Sequence, residues 1–281
     1  LQPGRWYLDR HSGELVYLPL PGEQLESSEA YAPGVDKLVR MEGVPDEERF
    51  VEHIHFIGLG FEHTSWYQPP GGGERWAPLF KEGDYGNAPQ GACNIEGAIS
   101  LYGTRHCSVE DCTLAHIGFY GVELTHGCQY NRVLGNTITD LGAGGIKSES
   151  LGLPNTEVPP LRRTGYNRFT DNHIYDGGHV FHAALGIHSM DCCGQVIAHN
   201  HVHHFDYSGI NCGWTWGYTE HVGRDNRIEK NHVHHIGRGV LSDMGAIYLL
   251  GVQPGTVVRG NIVHDVEKRE WGGRGIYLDE G

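Results

Sequence analysis

Residues 261–281, NIVHDVEKREWGGRGIYLDEG, carry the pattern against which the rest of the chain is read. An asparagine opens an alternating apolar strand, a glycine-rich excursion follows, and a second short strand ends in Asp279-Glu280. The layout recurs upstream. Cys112 opens CTLAHIGFYGVEL, Asn136 opens NTITDLGAGGIK, Asn172 opens NHIYDGG, Asn200 opens NHVHHFDYSGIN and Asn231 opens NHVHHIGRGVLSDMGAIYLL. From Cys112 to Asn261 the steps are 24, 36, 28, 31 and 30 residues. A repeat of this length decides the architecture, because one such unit cannot bury its apolar side except against its neighbours.

The phase is tight. Two residues after each opener stands Leu114, Ile138, Ile174, Val202, Val233 or Val263; four after it stands His116, Asp140, Asp176, His204, His235 or Asp265. A small-then-aliphatic step follows: Gly121-Val122, Gly145-Ile146, Gly186-Ile187, Gly209-Ile210, Ala246-Ile247, Gly275-Ile276. Alternation means strand rather than helix. Stacked coils bury like residues in ladders, and the asparagines bond backbone at one corner. The expected fold is all-β, a right-handed parallel β-helix. A β-sandwich would not hold the asparagine, the aliphatic residue and the glycine step in one register.

Residues 1–50 read as an N-terminal β-hairpin (RWYLD, a His-Ser-Gly turn, ELVYLPLPGE) and a polar connection packed on the solenoid; 51–281 read as the β-helix. Loop lengths are uneven. Long loops are expected at 65–93, 149–166 and 213–225, the last with Trp214, Trp216 and Tyr218; insertions at 177–184, 237–245 and 267–274 precede the glycine step. Long loops on a regular scaffold are usually functional. These flank one strand ladder from both sides and are expected to wall a groove.

The chain has 281 residues, but a solenoid grows by adding coils, so length does not count domains. Its 21 basic and 35 acidic residues give a net charge of −14, which argues against nucleic acid or an anionic membrane as partner. No apolar run approaches the roughly 18 residues of a membrane span. Of the seven cysteines, Cys128 and Cys192 share a phase, which favours stacking inside the coils over disulfides. Leu1 is not an initiator and the chain stops just after a strand, so a segment of a longer protein is expected.

With the aliphatic residue of each short strand inward, the next points out. That outward ladder is Glu123, Lys147, His188, Asn211, Tyr248, Tyr277, and two positions on lie Thr125, Glu149, Met190, Gly213, Leu250, Asp279. With Trp214 and Trp216 beside it, the ladder suits a carbohydrate: rings stack on sugar faces and polar groups bond hydroxyls. Hydrolysis of a glycosidic bond needs two carboxyl groups. Asp243, in the loop GRGVLSDMG, and Asp279, with Glu280 beside it, are the candidates; Asp206 and Glu149 are lesser rivals. His201, His203, His232 and His234 share an outer face and have metal-ligand chemistry. Hydrogen-bonded ladders are favoured over a metal, and no cofactor is expected; the pairs His116–Asp140, Asp176–His204 and His235–Asp265 should bond between coils. No G-x-S-x-G elbow is present, and no P-loop or dinucleotide fingerprint follows a strand.

GRWYLDRHSGELVYLPLPGE, HIHFIGLGFEHTSW, HHIGRGVLSDMGAIYLLGVQPGTVVRGNIVHDV and WGGRGIYLDEG resemble bacterial β-helix proteins of glycoside hydrolase family 141. The resemblance implies a secreted or periplasmic enzyme acting on plant or other complex glycans, with fucosidase and xylanase activities in the family and two acidic site residues. By motif these fall on Asp243 in SDMGAIY and Asp279 in IYLDEG, with Glu280 a weaker match. His188, Asn211, Trp214, Trp216, Tyr248 and Tyr277 would hold the sugar. A polysaccharide lyase shares the fold but needs a basic catalytic group, and only Lys147, Arg238 and Arg274 lie near the groove. A catalytically silent glycan-binding module is the reading from another class.

Overall fold

The computed structural model describes residues 2–9, 11–67, 90–150 and 157–281. Most of the expected loop at 65–93 (residues 68–89), and residues 151–156 of the loop at 149–166, lie outside them. Two compact units divide the chain, Leu1–Ala32 and Pro33–Gly281. The first holds a hairpin, Trp6–Leu8 antiparallel to Leu15–Tyr17.

The second unit is a parallel β-helix with three sheet faces. The first sheet stacks Val39–Glu42, Gly97–Tyr102, Tyr120–Thr125, Ile146–Glu149, Ile187–Met190, Ile210–Cys212, Met244–Leu250 and Gly273–Asp279. The solenoid therefore begins ahead of residue 51, since Val39 already pairs with Ile99. The second sheet runs from Gly60–Glu62 through Thr113–Ala115, Thr137–Leu141, His173–Gly177, His201–Phe205 and His232–Ile236 to Ile262–Val266. The third runs from His55–Ile57 to Val257–Arg259. Every pairing within these sheets is parallel, and register keeps like with like: Val122, Ile146, Ile187, Ile210, Ile247 and Ile276 form one inward ladder. Leu114, Ile138, Ile174, Val202, Val233 and Val263 form another, and both feed a single core.

The corners explain the rest of the phase. The residue four after each opener is left-handed: His116, Asp140, Asp176, His204, His235 and Asp265 have φ between 51° and 60°. Short polar side chains tolerate this region best among residues with a Cβ, hence Asp and His. Openers stack by amide bonds: Asn136 Nδ2 donates to Asn172 Oδ1 (2.9 Å), Asn172 to Asn200, Asn200 to Asn231 and Asn231 to Asn261 (each 3.0 Å). A second buried polar ladder lies five residues earlier. Asn167 Oδ1 accepts from Asn131 N, Gln195 Oε1 from Asn167 N, and Asn226 Oδ1 from Gln195 N. The glycine of the glycine–aliphatic step is needed for packing: a Cβ at Gly186 would sit 2.3 Å from Val202 Cγ1.

All seven cysteines are free thiols, six of them buried. One of the expected corner bonds forms, His116–Asp140 at 2.6 Å; His235 and Asp265 face each other at 3.7 Å, beyond hydrogen-bond reach. His204 instead meets its neighbour His203, Nδ1 to Nδ1 at 2.6 Å, and Asp176 faces His179 at 3.4 Å. No helix among the described residues is long and apolar enough to cross a membrane.

Candidate active site

The outward ladder of the first sheet is covered along most of its length. Lys147 and Glu123 pair at 3.0 Å, both buried, and the Lys147 ammonium also donates to the carbonyls of Cys93 and Ile95. Residues 90–96 thus lie across the ladder as a strap. Tyr120 donates its hydroxyl hydrogen to Gly91 O (2.8 Å), and Gln90 Nε2 donates to Tyr207 Oη (2.7 Å). Gly91 is left-handed (φ 74°), and a Cβ there would lie 2.5 Å from His188 Cε1. Trp214 closes the other side, edge-on to His188 at 4.6 Å and clustered with Cys93, Met190, Tyr248 and Leu250.

His188 and Asn211 are 0% exposed, Tyr248 1% and Trp214 2%, so the expectation that these four contact sugar from an open groove is corrected: the strap and the tryptophan loop fill that space. Burial, with the Lys147 charge nearby, keeps His188 well below the usual imidazole range and therefore neutral. Its two ring nitrogens and Asn211 Oδ1 are buried without hydrogen-bond partners among the described residues.

Beyond the strap, the ladder ends in a cluster of phenols and carboxylates. Tyr248 and Tyr277 stack with centroids 4.7 Å apart. Tyr248 donates to Asp279 Oδ2 at 2.6 Å, and Tyr277 donates to Asp243 Oδ1 at 3.3 Å. Tyr207 donates to the backbone carbonyl of Asp243 at 2.8 Å. Met244 and Gly245 pair in the strand with Gly273 and Arg274. The turn is made one residue earlier, at left-handed Asp243 (φ 56°), and the length of the Tyr277 side chain spans the remaining gap. Both carboxylates are half-buried. Burial, the hydrogen bond to Asp279, and the charges on Asp279 and Asp243 hold the Tyr248 phenol far above its ordinary range, and Tyr277 is raised by burial and the same two acids. The phenols are therefore neutral donors aimed at two carboxylates. Arg274 lies over the Tyr277 ring at 4.1 Å.

The remaining sequence candidates fall elsewhere. Glu280 accepts from Gly217 N at 2.7 Å, tying the tryptophan loop to the strand end. Trp216 packs on Trp214 (5.1 Å) and faces a cavity of about 900 Å³ shared with Tyr166, Arg163, Arg224 and His221. Asp206 is taken up by His182 (2.8 Å) and Arg238 (3.6 Å), and Glu149 is fully buried. Sequence reading missed Tyr207 and Gln90. The signal for Tyr207 was its place in FDYSGI, two residues before Gly209, one coil below the Asp243 loop.

A family model described as "Right handed beta helix region" matches residues 97–281. A solved structure of a protein described as "Glycoside hydrolase" superposes with a TM-score of 0.81 at 23% identity, covering 99% of this chain and 54% of that one. At that identity the likeness shows the fold, and the chain spans about half the length of the solved protein. No curated protein matches this chain.

Proposed function

We propose that this chain, which belongs to the right-handed β-helix family, takes part in hydrolysing glycosidic bonds in a complex glycan, with Asp243 and Asp279 as the carboxyl pair. The observation that carries the reading is the coupling of both carboxylates to one stacked tyrosine pair on the outer face of the first sheet. One carboxyl protonates the leaving oxygen; the other serves as nucleophile or activates water. Tyr248 and Tyr277 orient them. The superposition on a glycoside hydrolase supports a glycan-acting protein in general; fucosidase- or xylanase-like activity in a secreted or periplasmic protein is what the resemblance to family 141 implies.

A lyase reading loses two of its three basic groups: Lys147 is buried and bonded to Glu123 and two carbonyls, and Arg238 faces Asp206, which leaves Arg274, over the Tyr277 ring. Glu280 in this reading is a loop anchor rather than an acid. The test is reducing-end release from aryl fucosides, aryl xylosides and a glycan panel, with Asp243→Asn and Asp279→Asn alongside. Each variant should lose nearly all turnover while binding glycan as before. Full activity in either variant removes that residue from the chemistry. Unsaturated products would mean a lyase, and binding without turnover a glycan-binding module.

A further inference from the structure

The second sheet carries an array of imidazoles on its outer face, away from the carboxylate pair on the first. His173, His201 and His232 occupy one outward row, and His203, His234 and His264 the row two residues on. Within each row the rings stack: 4.7 and 4.9 Å between centroids in the first, 4.7 and 4.8 Å in the second. That much is the ladder expected from the repeated HVHH. The sequence did not show the diagonal contacts between rows. His173 Nε2 lies 2.8 Å from His203 Nε2, and His201 Nε2 lies 2.8 Å from His234 Nε2. Two triads result, His173/His201/His203 and His201/His232/His234, each with one nitrogen per ring and all three nitrogens within 4.8 Å of one another.

We propose that this face binds one divalent transition-metal ion through three imidazoles, with His201 as the ligand common to both triads. Nitrogens around a tetrahedral ion with metal–nitrogen bonds of about 2.0–2.1 Å stand about 3.3 Å apart. The diagonal separations of 2.8 Å fall just under that value and the third nitrogen of each triad lies within 4.8 Å of the other two, a difference that small rotations of outward side chains on fixed strands close. Borderline ions such as Zn²⁺, Ni²⁺ and Cu²⁺ suit imidazole, whereas Mg²⁺ and Ca²⁺ want oxygen. The second ring nitrogen of His203 is held by His204 at 2.6 Å, and that of His234 by His235 at 2.6 Å, the kind of outer partner that orients a ligating imidazole. Because both triads need His201, one ion per chain is expected. Three protein ligands leave a position for water, so the ion should exchange and yield to chelators. Bound across two neighbouring coils, it would clamp them together.

The test uses the 281-residue chain after EDTA treatment. Zn²⁺ titration followed by calorimetry should show one saturable site. Cu²⁺ at one equivalent should show nitrogen hyperfine structure in its EPR spectrum. His201→Asn, with unchanged metal-free circular dichroism, should abolish both signals, weakening Zn²⁺ by more than the roughly 10–100-fold that loss of an outer partner costs. Should that variant unfold, the double variant His203→Asn/His234→Asn removes one ligand from each triad and takes its place. The other candidate location is the oxygen-rich group of Asp140, Asp176 and His179, so His179→Asn should leave binding intact. The proposal is overturned if the wild-type chain has no saturable site. It is equally overturned if His201→Asn binds as the wild type does, or if His179→Asn alone abolishes binding.

Discussion

Replacing Asn172 by alanine should destabilise the solenoid by about 4 kcal/mol, and the figure follows from counting what the amide does. Its oxygen accepts from Asn136 N (3.0 Å) and Asn136 Nδ2 (2.9 Å). Its nitrogen donates to Val133 O (2.9 Å) and Asn200 Oδ1 (3.0 Å). Alanine fills none of these sites. Asn136 Nδ2 keeps Val109 O, and Asn200 Oδ1 keeps the Asn172 backbone N–H. The Asn136 backbone N–H and one lone pair of Val133 O are left unpaired, buried where water does not reach, at about 1–3 kcal/mol each. Asn261 makes the same set of contacts to Asn231 and Ile228 but is half-buried, so water can replace it and Asn261→Ala should cost about 1 kcal/mol. Urea unfolding followed by circular dichroism gives the two values. Amide exchange in residues 130–205 checks whether the coils still unfold together, since solenoid coils can melt separately. Equal costs at the two positions, or less than about 1 kcal/mol at Asn172, would refute the reasoning that the buried ladder holds the corner.

Other outcomes can be measured on the same protein. Lys147→Met removes the ammonium opposite buried Glu123 and should cost about 3–5 kcal/mol, most of it recovered when Glu123→Leu is added; no recovery would mean the carbonyl bonds of Lys147 dominate. Gly91→Val has neither the backbone conformation nor the room it needs, so it should lift the strap and shift Trp214 emission to the red; unchanged emission would place the strap elsewhere in solution. Tyr248→Phe removes the short bond to Asp279 and should cut turnover about 10–100-fold, more than Tyr277→Phe, whose bond to Asp243 is longer; the reverse order would dismiss Tyr248 as the orienting group. The raised Tyr248 phenol also sets a pH dependence. Below the ordinary phenol value of 10.0 both folded and unfolded chains keep the proton and stability is unaffected; above it only the unfolded chain ionises, so stability falls as pH rises. Tyr248→Phe should flatten that alkaline fall, and an identical slope in the variant would assign it to other groups.

How far the sequence speaks depends on whether neighbouring coils must agree. At the opener and two residues beyond it they must, because an amide bonds the amide above it and an aliphatic residue packs on its counterpart; asparagine and Ile/Val/Leu recur there and the fold is readable. The corner five residues before the opener does the same work with changing residues. Cys107, Asn131, Asn167, Gln195, Asn226 and Thr256 succeed one another, and each backbone N–H donates to the next side chain's oxygen, amide or hydroxyl alike. Identity is not constrained, so no repeat is visible. Cover on the outside is less legible still. Lys147 and His188 alternate like any outward residues, and their own strands hold no sign that residues 90–96 return over them. The catalytic candidates fall between these cases. Asp243 and Asp279 could be named from motif, but extended strands would have kept them apart. Each is tied instead to its own member of the stacked tyrosine pair, Asp243 from a left-handed turn, and the reach of a tyrosine is a property of side chains that register alone does not convey.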